Sequence, residues 1–404
     1  MRILTLLLAI TVAIWSGLAI ATYNAPVHSD ISDLQIRCKY GLCEDRDMAL
    51  LARLNAFGTG VAQDPELIRS LLLQAPASPE LWCDLAEALR EQNKLAEVNQ
   101  AYANAVKLAP NSPHILLRAA TSKLIDNRGS EALPLFRHLF DKAPDYPGDN
   151  VFSLCSRFGI TSATILAAVI PPDQPKVAAA YLRFLMRSGP TANATGAWTW
   201  IAAHGLATES LSSEYAAYLL AKKLPGPAFD AWTSKRKYAE SNRIFNPGFE
   251  DSGAPGGPFG WRMDPIPGVV GVAIDPNERH SGSSSLRIRF NGQQNIAFSH
   301  VSQQTVVTPG TYTLSAWIKT DMITTDEGIR IGIEDVQKPA SFQWISDPAF
   351  TGSRPWTLVS QQLTIPVGSP LVRVLILRNS SGKIDSKING NVWLDDVELR
   401  PRNP

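Results

Sequence analysis

Residues 76–113 read PASPELWCDLAEALREQNKLAEVNQAYANAVKLAPNSP, and the first half of the chain is organised around this stretch. Leu81, Trp82, Leu85, Ala86 and Leu89 recur at the three- and four-residue intervals of one helix face. A break near Gln92-Asn93 leads into a second helix, with Val98, Tyr102, Ala105 and Val106 on its inner side. Pro110 stops that helix, because proline has no N–H to continue the ladder. Ser112 is placed to cap the next one. The punctuation then repeats: Pro76, Pro110 and Pro144 are 34 residues apart, Ser78-Pro79 returns as Ser112-Pro113, and Tyr102 returns as Phe136. A fixed period of this length predicts stacked helical units whose apolar faces are buried by their neighbours.

The 404 residues allow two or three domains, and the formal net charge of +1 comes with no basic stripe. Nucleic-acid binding, which needs clustered Lys and Arg to neutralise phosphates, is thereby set aside. Met1-Arg2 precedes an uncharged apolar run from Ile3 to Ala21, the layout of a secretory signal or membrane anchor. Ala19-Ile20-Ala21 would serve as a cleavage site. The run is longer than the ~7–15 residues of a cleaved signal core and long enough to span a bilayer, which favours a single-pass anchor. In either case the remainder is exported, as a membrane-anchored, periplasmic or extracellular protein.

Residues 22–44 read as a linker, and Cys38 and Cys43 within it are candidates for a small disulfide in an oxidising compartment. Cys83 and Cys155 fall in helical stretches and are expected to pack as small apolar residues. Helical texture covers 45–240, continuing beyond Pro147 as Ser162 to Ile170, Lys176 to Arg187, Ala197 to His204 and Ser213 to Leu224. From 241 to 404 the texture changes to short runs of Val, Ile, Thr and aromatics between Gly/Pro/Asn/Asp/Ser turns. Strands are predicted near 244–249, 269–275, 284–290, 296–307, 311–320, 328–334, 356–365, 371–378 and 391–399. Tyr312, Leu314, Ala316 and Ile318 alternate with polar neighbours, as in a sheet with one buried face. The predicted fold is a helical repeat domain followed by an antiparallel β-sandwich of the jelly-roll kind.

Residues 79–112 resemble the tetratricopeptide repeat through Trp82, Leu85, Ala86, Leu89, Tyr102, Ala105 and Pro110, with Val98 where alanine is usual. Residues 113–146 are similar through Leu116, Ala120, Ala132, Phe136 and Pro144, although Lys123 departs from the pattern. Residues 45–78 follow more loosely through Met48, Leu51, Ala52, Ile68, Leu71 and Pro76. The resemblance implies a partner protein held by the helical stack.

The second half resembles carbohydrate-binding modules of the jelly-roll, galactose-binding-like type over 242–400. Four landmarks carry this: Asn246-Pro247-Gly248-Phe249-Glu250 with Gly260-Trp261; His280-Ser281-Gly282; Pro309-Gly310-Thr311-Tyr312 before Trp317; and Trp393-Leu394-Asp395-Asp396. The resemblance implies a structural calcium, with Glu250 and Asp395 or Asp396 as side-chain ligands and backbone oxygens around His280-Ser281-Gly282. Acids that merely end strands and bond nearby turns are the competing reading. Trp261, Trp317, Trp356 and Trp393 are expected to be packing residues. Trp344, Phe342, Phe298 and His300 are the expected glycan contacts.

No catalytic constellation accompanies these features: nucleophile turn, phosphate loop and zinc-binding histidine helix are all missing from the sequence. Glu250 with Asp395 as a glycosidase pair is a minor alternative. The leading expectation is a non-enzymatic exported scaffold that grips a partner protein, in cell-envelope polysaccharide assembly or export. The alternative is a carbohydrate-binding protein acting through its β-sandwich.

Overall fold

The computed structural model describes residues 64–236, 238, 241–251 and 256–402. The apolar run at 3–21, the linker and the Cys38/Cys43 pair lie outside the described residues. The chain divides into two compact units, Met1–Leu206 and Ala207–Pro404.

In the first unit the described residues form nine helices. They are α1 (Pro65–Gln74), α2 (Pro79–Glu91), α3 (Leu95–Leu108), α4 (Pro113–Ile125), α5 (Gly129–Lys142), α6 (Asp149–Arg157), α7 (Ser162–Ala168), α8 (Pro175–Ser188) and α9 (Thr191–Ala203). The period of the sequence is a period of the backbone. α1, α3 and α5 end at Gln74, Leu108 and Lys142, and the capping residues Ala75, Ala109 and Ala143 have φ of −131, −132 and −135°. Each precedes a proline, whose ring excludes the helical region for the residue before it. The turns inside the pairs repeat as well: Asn93 and Asn127 adopt left-handed φ of 58 and 56°, which asparagine tolerates well.

Charged side chains lock successive helix pairs. Asp84 of α2 receives a 2.7 Å hydrogen bond from Arg118 of α4, whose Nε also donates to Glu87 at 2.8 Å. Arg90 donates to Asp126 at 2.5 Å and to the Ser122 hydroxyl at 2.5 Å. Beyond α5 the register gives way to an aromatic stack, Phe140 on Phe152 at 5.6 Å and Phe152 against Tyr181 at 4.9 Å. Cys83 and Cys155 are free and buried, and burial pushes both thiols up to about 12. They pack as small apolar residues and stay protonated at neutral pH. α6 was not anticipated, because Pro147-Gly148 reads as a turn; α9 begins at Thr191, earlier than expected.

The second unit begins at residue 207, well before the change of texture at 241. Its two helices, α10 (Glu209–Ala221) and the unanticipated α11 (Pro225–Thr233), are followed by ten strands among the described residues. Trp232 of α11 explains the earlier boundary. Its indole is fully buried, donates to Gly256 O at 2.9 Å, and meets Phe245 and Phe259 at 5.1 and 5.5 Å. α11 is thereby packed into the β unit by aromatic area, the largest apolar contribution a single side chain makes.

The strands are β1 (Arg262–Met263), β2 (Val270–Asp275), β3 (Ser285–Asn291), β4 (Phe298–Val306), β5 (Gly310–Ile323), β6 (Arg330–Asp335), β7 (Gln343–Ile345), β8 (Gly352–Ile365), β9 (Leu371–Arg378) and β10 (Asn389–Pro401). They form two five-stranded antiparallel sheets, ordered β1-β4-β9-β6-β7 and β2-β3-β10-β5-β8. Leu286, Ile288, Tyr312, Leu314, Ile318, Val372, Val374, Ile376, Val392 and Leu394 meet between them as one core. The strand expected at 244–249 does not form. Asn246 and Phe249 take φ of 49 and 58°, and the segment is joined to β10 by two backbone bonds, Arg243 N to Leu399 O and Val397 N to Pro247 O, and by the Asn242 side chain, which accepts from Leu399 N at 3.0 Å.

Arg378, at the end of β9, points into the sandwich and is only 1% exposed. Its guanidinium donates to the carbonyls of Glu327 (2.8 Å), Ser386 (3.1 Å) and Ile296, drawing three loops together. Replacing it leaves those carbonyls without their donor, at about 1–3 kcal/mol each. Arg378→Met is expected to destabilise the β unit by about 3 kcal/mol or more in urea unfolding. A loss within about 0.5 kcal/mol would show that water takes over the carbonyls.

Candidate functional site

The first and last landmarks of the β unit meet at one junction. β10 carries a bulge between Asp395 and Glu398, with Asp396 at the left-handed φ of 47°. The extra residue turns both acids toward the turn at 280–283. Asp395 is fully buried and accepts from the backbone N–H groups of His280 (2.8 Å), Ser281 (3.1 Å) and Asp396 (2.8 Å). Asp396 accepts from the Ser281 hydroxyl at 2.8 Å and pairs with His280 Nδ1 at 2.7 Å. Glu250 accepts from Ser283 N at 3.0 Å and from the Ser283 hydroxyl. Gly282, at φ 61°, is in the region that favours glycine, and a Cβ there would displace the Glu250 carboxylate from the turn.

The structure thus brings the three acids named from the sequence to one place, where they bond the turn. Among the described residues no group of three His, Cys, Asp or Glu is arranged to hold a metal ion. Burial pushes the Asp395 carboxyl above its usual range despite its three N–H donors, and Asp396 adds like-charge repulsion. The Ser283 hydroxyl and backbone N–H hold Glu250 below its usual range.

The aromatic residues depart from expectation. Phe298 is 2% exposed inside the core and cannot meet a ligand. Trp344 lies opposite Ile333, so it faces inward, and both it and Phe342 pack against the core. His300 lies beside Phe298 at 5.3 Å, and its Nδ1 is buried without a hydrogen-bond partner. These four side chains form no common exposed surface. Of the residues expected to be packing, Trp261 does pack against the core. Trp317 and Trp393 alternate with core residues and lie on the outer face of their sheet, where they also pack: Trp393 is 8% exposed, His280 stacks on Trp317, and Trp356 lies 5.9 Å from that imidazole.

The outer face of the β1-β4-β9-β6-β7 sheet carries two contrasting rows. Across the strands, Arg262, Ser302, Leu375, Gly332 and Ile345 are in register. The neighbouring row is Gln304, Arg373, Glu334 and Gln343. Leu375 and Leu377 are each 8% exposed although they face away from the core, so the floor is recessed. Arg373 Nε donates to Glu334 at 3.0 Å, and Gln304 donates to Pro258 O at 2.7 Å. A hollow of about 480 Å³ opens at one end, lined by Trp261, Arg262, Ser302, Gln304 and Arg373 among others. None of these was singled out in the sequence except Trp261. Strand parity holds the signal, but only once the register between strands is known.

No protein-family model matches the chain, and no curated protein matches it. Among solved structures the β architecture is similar to carbohydrate-binding modules of the β-sandwich type. A family 61 module in complex with β-1,4-galactotriose is 17% identical, covering 40% of this chain and 99% of that one, with a TM-score of 0.28. A family 22 xylan-binding domain from Paenibacillus barcinonensis is also 17% identical, covering 41% and 99%, with a TM-score of 0.28. The enzymatically active domain of a bacteriophage CBA120 tailspike is 15% identical at a TM-score of 0.30; the match covers 40% of this chain and 22% of the tailspike.

The junction acids have opposite pH signatures. Glu250, depressed in the fold, contributes stability that is complete above its unfolded value of about 4.5 and lost as pH falls through the lower folded value. Asp395, raised in the fold, works the other way, since its ionisation opposes folding. Glu250→Gln is therefore expected to lower stability at neutral pH and to shrink the difference between neutral pH and about pH 3. Parallel wild-type and variant stability profiles in urea would show that Glu250 bonds Ser283 without an ionic contribution.

Proposed function

We propose that this chain is an exported, non-catalytic carbohydrate-binding protein. Its glycan surface is the recessed outer face of the β1-β4-β9-β6-β7 sheet. One observation carries the proposal: an apolar row, Leu375-Gly332-Ile345, runs beside a row made wholly of hydrogen-bonding groups, Gln304-Arg373-Glu334-Gln343. A pyranose ring has the same division, with C–H groups on its faces and hydroxyls at its edge. Arginine only donates and an ionised glutamate only accepts, whereas a hydroxyl does both, so the Arg373–Glu334 pair can bond adjacent hydroxyls at once. The hollow beside Trp261 has a volume within the range of small-ligand sites.

In the sequence the helical stack pointed first to a partner-protein scaffold. In the fold, prominent charges of that unit, Asp84, Arg90, Arg118 and Asp126, join neighbouring helix pairs to each other. They are part of the stack's own cohesion. Support for a binding role is stronger on the β unit.

Calorimetric titration of the full chain with β-1,4-galactotriose and xylohexaose tests the reading. Arg373→Ala and Glu334→Gln are each expected to weaken binding about tenfold, the loss typical of a buried contact worth more than 1 kcal/mol. Wild-type affinity in both variants, or no binding by the unmodified protein, would overturn it.

A calcium ion at the junction belongs to the same proposal. The donors are hard oxygens of Glu250, Asp395 and Asp396, and the buried Asp395 has a like charge beside it. In the arrangement described these acids accept from N–H and O–H groups of the turn, so holding the ion would require them to turn away from those donors, with carbonyls of the 280–282 segment completing the set. Added calcium is expected to raise the melting temperature of the full chain, and Asp395→Asn to abolish that increase. Melting that is indifferent to calcium and to chelator would remove the ion from the account.

A further inference from the structure

We propose that the opposite outer face, on the β2-β3-β10-β5-β8 sheet, is a second carbohydrate site, built on Trp356 and the polar hollow beside it, with Trp317 and Trp393 as support beneath. It takes its ligand class from the carbohydrate reading above, but its residues and its face are separate. Three of the ten tryptophans of the chain project from adjacent strands β5, β8 and β10 on this one side. Trp393 lies in register between Arg287 and Lys319, and Trp317 between Asp395 and Leu358. None of the three belongs to the core between the sheets. Leu358, beside Trp317, is 50% exposed, so apolar surface on this face is open to solvent. Trp393 is itself only 8% exposed and the His280 ring covers a face of Trp317, so the open apolar surface here is Leu358 with the half-buried Trp356.

The rings are fixed in advance of any ligand. The Trp393 indole donates to Asp275 at 3.0 Å, and Lys319 Nζ sits 5.4 Å from its ring centre. The His280 imidazole lies on Trp317, with centroids 3.8 Å apart and planes 15° apart, and is itself anchored by Asp396. Trp356 meets that imidazole edge-on. Preorganised rings bind with less loss of side-chain freedom.

The polar half of the site adjoins the rings. A hollow of about 400 Å³ is lined by Glu278, Lys319, Asp321, Ser353, Arg354 and Trp393. Lys319 donates to Glu278 at 2.6 Å, and Ser353 to Asp321 at 3.3 Å, so donors and acceptors alternate along the wall. This volume admits one or two sugar rings. A stable protein partner needs roughly 800 Å² from each side and a core depleted of charge, and this wall is largely charged. A glycan is therefore the occupant to which the chemistry commits.

Titrating the full chain with xylohexaose and β-1,4-galactotriose, read by calorimetry and tryptophan fluorescence, separates the two faces. The unmodified protein is expected to bind at two sites. Trp356→Ala removes one of them or weakens it about tenfold, Trp356→Phe retains it, and Arg373→Ala removes the other. If Trp356→Ala folds but binds like the unmodified protein while Arg373→Ala abolishes binding, the second site is overturned and the first stands. If Trp356→Ala abolishes all binding and Arg373→Ala none, this face is the glycan surface and the other reading fails. Absence of any sugar binding overturns both. Should Trp356→Ala lose cooperative melting, Arg354→Ala takes its place; it leaves all three rings intact and is expected to weaken the same site.

Discussion

The bulge in β10 is the constraint on which the β unit depends. β10 is the central strand of its sheet, paired with β3 on one side and β5 on the other, and its side chains must alternate between core and outer face. Val392 and Leu394 face the core, and so do Val397 and Leu399, which strict alternation forbids. One additional residue resolves the conflict, and Asp396 absorbs it in a left-handed conformation that aspartate tolerates better than a branched residue. The same insertion directs Asp395 and Asp396 at the 280–283 turn. Core register and junction chemistry are thus two results of one backbone event.

Periodicity made the helical half legible at the level of backbone geometry. Pro76, Pro110 and Pro144 mark three equivalent helix ends because a residue before proline leaves the helical region wherever it sits. That rule is local, so the sequence suffices. The 207–240 segment was different. Its helices look like a continuation of the stack, yet Trp232 closes against Phe245 and Phe259, which lie beyond the change of texture. Only a long-range contact reveals which unit a helix belongs to.

In the β half, existence of the strands was legible and the use of their aromatics was not. Trp344 sits in a loop-like stretch of sequence and reads as exposed, but β7 pairs it opposite Ile333 and turns it inward. Trp317 and Trp393 sit in regular strands and read as packing. They do pack, but their parity places them on the outer face, since Ala316 and Ile318 on either side of Trp317, and Val392 and Leu394 on either side of Trp393, fill the core. Parity in a strand is stronger information than the local polarity of a segment.

The two outer faces then differ for a physical reason that bears on what each recognises. On the β1-β4-β9-β6-β7 side, Ser302, Leu375 and Leu377 are shielded almost as well as core residues while facing away from the core. Hydrogen bonds made above such a floor compete less with water, so orientation of hydroxyls is what that surface can discriminate. On the other side the half-buried Trp356 and the exposed Leu358 stand on the edge strand β8, where the proposed contact is with flat C–H surface, a feature many sugars share. A recessed face that selects and an open face that holds would act on different parts of one long glycan. Two modest contacts on a shared chain combine through effective concentration, and neither needs to be strong alone.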